Sequence, residues 1–436
     1  MRFQTIIISI ILILLALTAC RDKGTEPYVK SIWLSVEDIG VTDASIHVIL
    51  SNDNKPSNFS LKLNGKTILS ANTRDTLIFS DSLLPKHTYT YKAHRLNGSI
   101  VFDSSDALTI STMDTTSHNF TWEIDTLGDG NSSVLRDVTI VNDTCVYAVG
   151  EINIKDSLGN WINPPYNFAQ WNGRTWKLQT INFIWDFGSG YSEAVTIFAF
   201  DAQNIVISSG GSVMNWDGQA WKNFGYLCQG TNCLGNVYKI WGRGVNDFYG
   251  VGKEGSIVHW DGSSWQKLES GTDVNLTDVW GSPDGSVVWA CGREDFKPTV
   301  LLKIQNGNVE KVYEDYDQRT IVRGDTLSGI LVGGILMDNN LFIYSSAGVY
   351  RSPLIRSDIT RRLSFTSSLF PTNPQSIDGD GRNDFMIVGY PTFIAHFNGY
   401  TWRQYAELWN TTGHLRSVAQ QGNIIIAVGF DYDPIN

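Results

Sequence analysis

The run Asp378-Gly379-Asp380-Gly381-Arg382-Asn383-Asp384 carries residue types that a hard cation takes. Carboxylate oxygens at alternating positions, with glycine to let the backbone turn, are what a Ca²⁺ loop needs. Asp378, Asp380 and Asp384 are therefore the candidate Ca²⁺ ligands, and no other cofactor is implied. A competing reading is equally physical. Asn383-Asp384-Phe385 matches Asn246-Asp247-Phe248, which no acidic cluster precedes, so Asp384 also reads as a turn residue of a repeat. His259 and His396 occupy a position filled elsewhere by Gln170 and Asn215, which marks it as a polar position and not as a ligand. No cysteine–histidine set has zinc spacing, and no nucleophile elbow, phosphate loop or dinucleotide fingerprint occurs. No catalytic residue is assigned.

Two further sets of residues could act by contact. Cys228 and Cys233 bracket a short Gly/Asn loop, a spacing suited to a local disulfide in an oxidising compartment. Trp161, Tyr166, Phe183, Trp185 and Tyr191 fall in two long loop segments, 151–168 and 179–193. Aromatic rings on loops above a rigid scaffold can stack on a glycan or anchor a protein partner, or they can pack the loops down. These five residues are the candidate ligand-binding set.

The elements that would carry these residues repeat. Trp171-Asn172-Gly173-Arg174-Thr175-Trp176, Trp216-Asp217-Gly218-Gln219-Ala220-Trp221, Trp260-Asp261-Gly262-Ser263-Ser264-Trp265 and Phe397-Asn398-Gly399-Tyr400-Thr401-Trp402 align. An apolar strand ending in glycine recurs at Gly150, Gly210, Gly252, Gly292, Gly333, Gly389 and Gly429. A further marker, Lys239-Ile240-Trp241-Gly242 and Asp278-Val279-Trp280-Gly281, opens two of the units. A period of about 46 residues with aromatic hairpins is a β-propeller signature, because one twisted sheet cannot bury both faces while a ring of them can. Seven markers predict a seven-bladed β-propeller over 114–436. Thr121-Trp122-Glu123-Ile124 resembles the outer-strand segments Thr175-Trp176-Lys177-Leu178 and Thr401-Trp402-Arg403-Gln404, so it is expected to complete the last blade and seal the ring. The 378–384 run is similar to the calcium loops of integrin-type propellers.

Residues 28–113 alternate apolar and polar residues in short runs split by turn signals, among them Asn64-Gly65 and Asn97-Gly98. This pattern predicts a small immunoglobulin-like sandwich. Leu84-Pro85-Lys86-His87-Thr88-Tyr89 resembles the fibronectin type III signature, which implies that fold here with Tyr89 as the corner tyrosine. The second strand lacks a tryptophan, and Trp33 on the first is expected to fill the core instead. The fold class is thus all-β, a fibronectin type III-like sandwich followed by a seven-bladed propeller.

The first residues are an address. Arg2 precedes an apolar run from Ile6 to Leu17, shorter than the roughly 20 residues of a spanning helix. Leu17-Thr18-Ala19-Cys20 resembles the lipobox of bacterial lipoproteins. The resemblance implies a signal peptide at 1–19, lipidation of Cys20, a tether at 20–27 and a membrane partner reached through acyl chains. Arg21 stands where an inner-membrane retention Asp would, which favours an outer-membrane lipoprotein of the cell envelope, periplasmic or surface-exposed.

Composition agrees with a binding role and excludes one class of partner. The 436 residues carry a formal charge of −11, which argues against nucleic acid, since phosphate binding needs surplus Lys and Arg. Of 15 tryptophans, ten sit at repeat positions and only Trp161 and Trp185 in the long loops of one unit. The expected function is a non-catalytic module binding a glycan or protein through the propeller loop face. The alternatives are a carbohydrate-active propeller enzyme (glycosidase, lyase or glycosyltransferase) and a purely structural envelope component.

Overall fold

The computed structural model describes residues 30–51, 56–229, 232–316, 326–353, 361–363, 373–408 and 412–432. The signal peptide, Cys20 and Trp409 lie outside them. The chain divides into two compact units, one formed mainly by residues 30–111 and one mainly by 112–436.

The first unit has two antiparallel sheets. Strands Ile32–Ile39, Ala44–Leu50 and Thr76–Ser80 form one. Ser57–Leu63, Lys66–Thr73, Thr88–Asn97, Ile100–Ser104 and Leu108–Ser111 form the other. Asn64 and Gly65 turn their hairpin at φ 47° and 83°, as a type I′ turn demands. At the second predicted hairpin only Gly98 takes positive φ, and the turn shifts to Gly98-Ser99. The core is built from Ile32, Ile46, Val48, Phe59, Leu61, Tyr91 and Ala93, all fully buried. Trp33 does not fill it: strand alternation turns Ile32 inward and leaves Trp33 39% exposed.

The second unit is a series of antiparallel sheets with strands in sequence order. The first comprises Val134–Asn142, Cys145–Ile152, Tyr166–Trp171 and Trp176–Gln179. Five more four-stranded sheets begin with Thr196–Asp201, Lys239–Gly244, Leu276–Gly281, Leu331–Met337 and Asn373–Gly381. A seventh sheet has two strands among the described residues, Gly413–Gln421 and Ile424–Asp431.

The repeat residues have clear physical roles. Trp171 faces Trp176 across its hairpin, and Trp216–Trp221, Trp260–Trp265 and Phe397–Trp402 do the same. Gly173 turns the first of these at φ 88°, a conformation L side chains avoid. Gly150, at the end of a second strand, sits on the backbone of the first strand, so that a Cβ would collide with the Val134 carbonyl. The aromatic pairs fill the wedges between neighbouring sheets. Phe168 of the first sheet, for example, packs edge-on against Trp221 of the second, with ring centroids 5.4 Å apart.

The segment 121–124 forms no strand. Its Trp122 instead packs with Met386, Val388, Ile394, Tyr405 and Val418 of the sixth and seventh sheets. An apolar cavity of about 420 Å³ is lined by both 122–128 and Ile424–Asp431 residues, and the two do not pair. The first and last sheets pack directly: Val138, Val146 and Ala148 share one core with Ala419 and Val428.

Candidate functional site

The first strands of all seven sheets line one cavity of about 1100 Å³. Despite the acidic chain, the lining holds Arg136, Lys239, Arg243, Arg293 and Arg416 beside Asp137, Glu193, Asp278 and Asp378.

Three of the four acids do the same job. Asp137 on the first sheet accepts the Ile197 N–H of the second at 3.2 Å. Asp278 on the fourth accepts the Gly334 N–H of the fifth at 3.0 Å. Asp378 on the sixth accepts the Gln420 N–H of the seventh at 2.9 Å. Each carboxylate thus ties one first strand to the next and satisfies an amide that the neighbouring sheet cannot reach. Asp137 also accepts from Thr196 Oγ1 at 2.8 Å, Ser417 Oγ at 2.7 Å and Lys239 Nζ at 2.9 Å. Lys239 stands at the marker position that Asp278 holds in the next unit, so one repeat slot supplies both signs of charge.

Burial raises the Asp278 carboxyl to about 6, against the pull of Lys239 and its backbone donors. It raises Asp378 to about 7 in the same way, against the Gln420 and Gly379 amides. Burial opposes the charge of Lys239, but the carboxylates of Asp137, Asp278 and Asp378 outweigh it and raise that amine.

The rim is different. Arg136 makes a two-point contact with Glu193, Nε to Oε1 at 2.6 Å and a terminal nitrogen to Oε2 at 3.3 Å. The Arg416 guanidinium lies over the Phe430 ring, 5.2 Å from its centroid, and its buried Nε has no acceptor among the described residues. Burial, and then the charge of Arg136, lower its pKa. The Arg293 side chain makes no hydrogen bond among the described residues, whereas its backbone N–H donates to Asn275. His414 stands nearby, brought down to about 4 by burial and by Arg416, Arg136 and Arg293. Tyr191 donates to Glu151 Oε2 at 2.9 Å and ties the two long loops together beside Glu193.

The predicted aromatic set is divided. Phe183 is fully buried, in a core with Tyr147, Phe168 and Ile207, and so is unavailable to a ligand. The segment around it is not an open loop: Phe183–Trp185 pairs with Gly188–Gly190 as a hairpin, and this seats Phe183 on the sheet below. Tyr166 is half-buried at the start of a strand. Trp185 packs partly on the Phe183 core and stacks on Phe187, with centroids 5.7 Å apart and planes 5° from parallel. Phe187 itself is 83% exposed, and no sequence signal sets it apart from its aromatic neighbours. Trp161 is half-exposed under the Lys155 ammonium, which lies 4.8 Å from its ring.

The 378–384 run lies in a β-hairpin. Its carboxylates diverge: Asp378 binds the Gln420 amide, while Asp384 Oδ1 meets His396 Nε2 at 2.8 Å and Gln420 Nε2 at 2.9 Å. Among the described residues no three His, Cys, Asp or Glu side chains are grouped to hold a metal. Asp247 and His259 make the same pair as Asp384 and His396, at 2.7 Å, which explains the histidine at that repeat position. His396 Nδ1 continues to His118 Nδ1 at 2.8 Å, a contact that no spacing in the sequence announces. Cys228 and Cys233 are joined in a disulfide.

No protein-family model matches the chain, and no curated protein is similar to it in sequence. Solved structures share its fold. "YCF48 bound to D1 peptide" is 14% identical with a TM-score of 0.50, covering 69% of this chain and 91% of that one. YCF48 from Cyanidioschyzon merolae is 11% identical (TM-score 0.49), over 70% of this chain and 95% of its own. The Cps50 (Swd1) β-propeller domain from Myceliophteria thermophila is 12% identical (TM-score 0.48), over 71% and 96%. The chain has an all-β, propeller-like fold, and its likeness to the first of these structures is one of fold alone.

Proposed function

We propose that the protein is a cell-envelope lipoprotein, anchored through Cys20, in which a fibronectin type III-like sandwich carries a seven-bladed propeller that binds a protein ligand without catalysis. The core shared by the first and last sheets, and the seating of Trp122 on the sixth and seventh, support ring closure. One observation carries the binding reading. The carboxylates inside the cavity are committed to backbone amides, while the side chains of two rim arginines, Arg293 and Arg416, make no hydrogen bond among the described residues. A general acid and base would need carboxyls free to exchange protons with a substrate. The D1 peptide is a ligand of YCF48, and its binding to a propeller-like relative supports a peptide or protein ligand over a glycan here.

The loop face is tested by pull-down from envelope extracts and by a glycan array, comparing the wild type with Trp161→Ala/Phe187→Ala. Both side chains are exposed, so the variant should fold. The reading expects a retained protein partner that the variant loses. Equal retention by both, or a glycan as the retained ligand, contradicts it.

A further inference from the structure

We propose that the rim of the cavity is a receptor for a single carboxylate carried by a peptide, with Arg293 and Arg416 as the groups that grip it. This deepens the binding reading above and rests on it. The charges of the lining pair off in a definite way. Lys239 is taken by Asp137, Arg136 by Glu193, and Arg243 by Asp247 at 2.7 Å. Asp278 and Asp378 are held by the Gly334 and Gln420 amides. Two guanidinium groups remain, Arg293 and Arg416, both lining the cavity and neither hydrogen-bonded through its side chain among the described residues. The Glu193 charge is felt by Arg416, but that carboxylate is held by Arg136.

Leaving a buried donor unmet is unfavourable, and the Arg416 Nε is such a donor. The Phe430 ring closes off one face of that guanidinium. Its planar fork matches a carboxylate at two points, as the fork of Arg136 already does with Glu193. Glu193 and the acids deeper in the cavity penalise a multiply charged anion, so a group of one negative charge fits best. The remainder of an extended peptide can lie over the loops tied by Tyr191 and Glu151, toward the exposed ring of Phe187. The carboxylate can belong to a chain terminus or to an acidic side chain.

The test is fluorescence anisotropy with pools of random decapeptides titrated into the full-length protein. One pool has free C-termini and no acidic residues, a second is the same pool amidated, and a third is amidated with one Glu. Inorganic phosphate serves as competitor. The free or Glu-bearing pool should bind at least about ten-fold more tightly than the neutral one, by the worth of one charge-assisted hydrogen bond. Arg416→Ala and Arg293→Ala should each erase that preference. Arg416→Lys and Arg293→Lys, which keep the charge and the stem, should weaken it by a smaller factor and guard against a folding defect. Preference in the free pool assigns a terminus, and preference in the Glu pool a side chain. Equal binding of all pools, no binding of any, indifference to all four variants, or displacement by phosphate at concentrations where acetate has no effect overturns the proposal. A protein partner retained through Trp161 and Phe187 in that event would leave the loop-face reading standing.

Discussion

The interior of the cavity and its rim both carry charged side chains and use them in opposite ways. Inside, Asp137, Asp278 and Asp378 reach across to the next first strand and are consumed by its amides. At the rim, the Arg293 and Arg416 side chains make no hydrogen bond among the described residues, and the nearby Glu193 is held by Arg136. The difference shows how a repeat scaffold can carry charge without carrying chemistry. Groups that join neighbouring repeats are structural, and only those left over are available to a ligand.

The largest effect should come from breaking an interior tie. Asp137→Ala strands Lys239, Thr196, Ser417 and the Ile197 amide together. It should cost about 3–5 kcal/mol in urea unfolding, as loss of one partner of a buried pair does. Asp137→Asn with Lys239→Met, which removes the charges jointly, should recover most of that loss.

The same contrast divides the aromatic residues. Phe183→Ala should cost about 3–5 kcal/mol, the range for emptying a buried Phe site. Trp161→Ala, on the surface, should cost under about 1 kcal/mol.

A third prediction concerns pH. The Asp378 carboxyl is raised to about 7 in the folded protein from an ordinary 3.8, and Asp278 to about 6. A raised folded value means that folding favours the protonated form. The stabilisation is therefore complete below about 3.8 and lost as pH rises through 6 to 7. Stability measured from pH 5 to pH 8 should fall by up to about 1.4 kcal/mol per pH unit for each such group. Asp378→Asn keeps an acceptor for the Gln420 amide and should flatten its share of that slope. An unchanged slope would show that Asp378 is not the titrating group.

The smallest effect on stability should be at the rim. Arg416→Ala loses packing on Phe430 but no hydrogen bond of its Nε, and should shift the unfolding free energy by less than about 1 kcal/mol. A loss comparable to that of Asp137→Ala would place Arg416 among the structural groups.

The architecture is legible in the sequence because it repeats. The Trp-x-Gly hairpins fall where periodicity puts them, and Cys228 and Cys233 are joined as their spacing suggests. Six of the seven glycine markers lie at or near the end of a second strand, but Gly333 lies in a first strand, Leu331–Met337, so that marker is one strand out of step. Segment 121–124 marks the limit of that logic, since an outer-strand sequence alone does not make a paired strand. The candidate site is far less legible. Arg136, Arg293 and Arg416 belong to three separate units, and only the curvature of the assembly brings them to one cavity. Phe183 resembles a loop aromatic because burial there depends on a hairpin folding back onto the sheet. Asp378 resembles a cation ligand because sequence gives the spacing of oxygens but not the strand across from them.

Hydrogen exchange of the full-length protein, with and without a carboxylate-bearing peptide, tests the division between interior and rim most directly. The amides of Ile197, Gly334 and Gln420 should exchange slowly in both states. Added protection should appear at the rim segments 134–136, 292–294 and 413–417. Fast exchange of those three amides in the free protein, or a peptide that protects the interior strands and leaves the rim unchanged, would contradict the account.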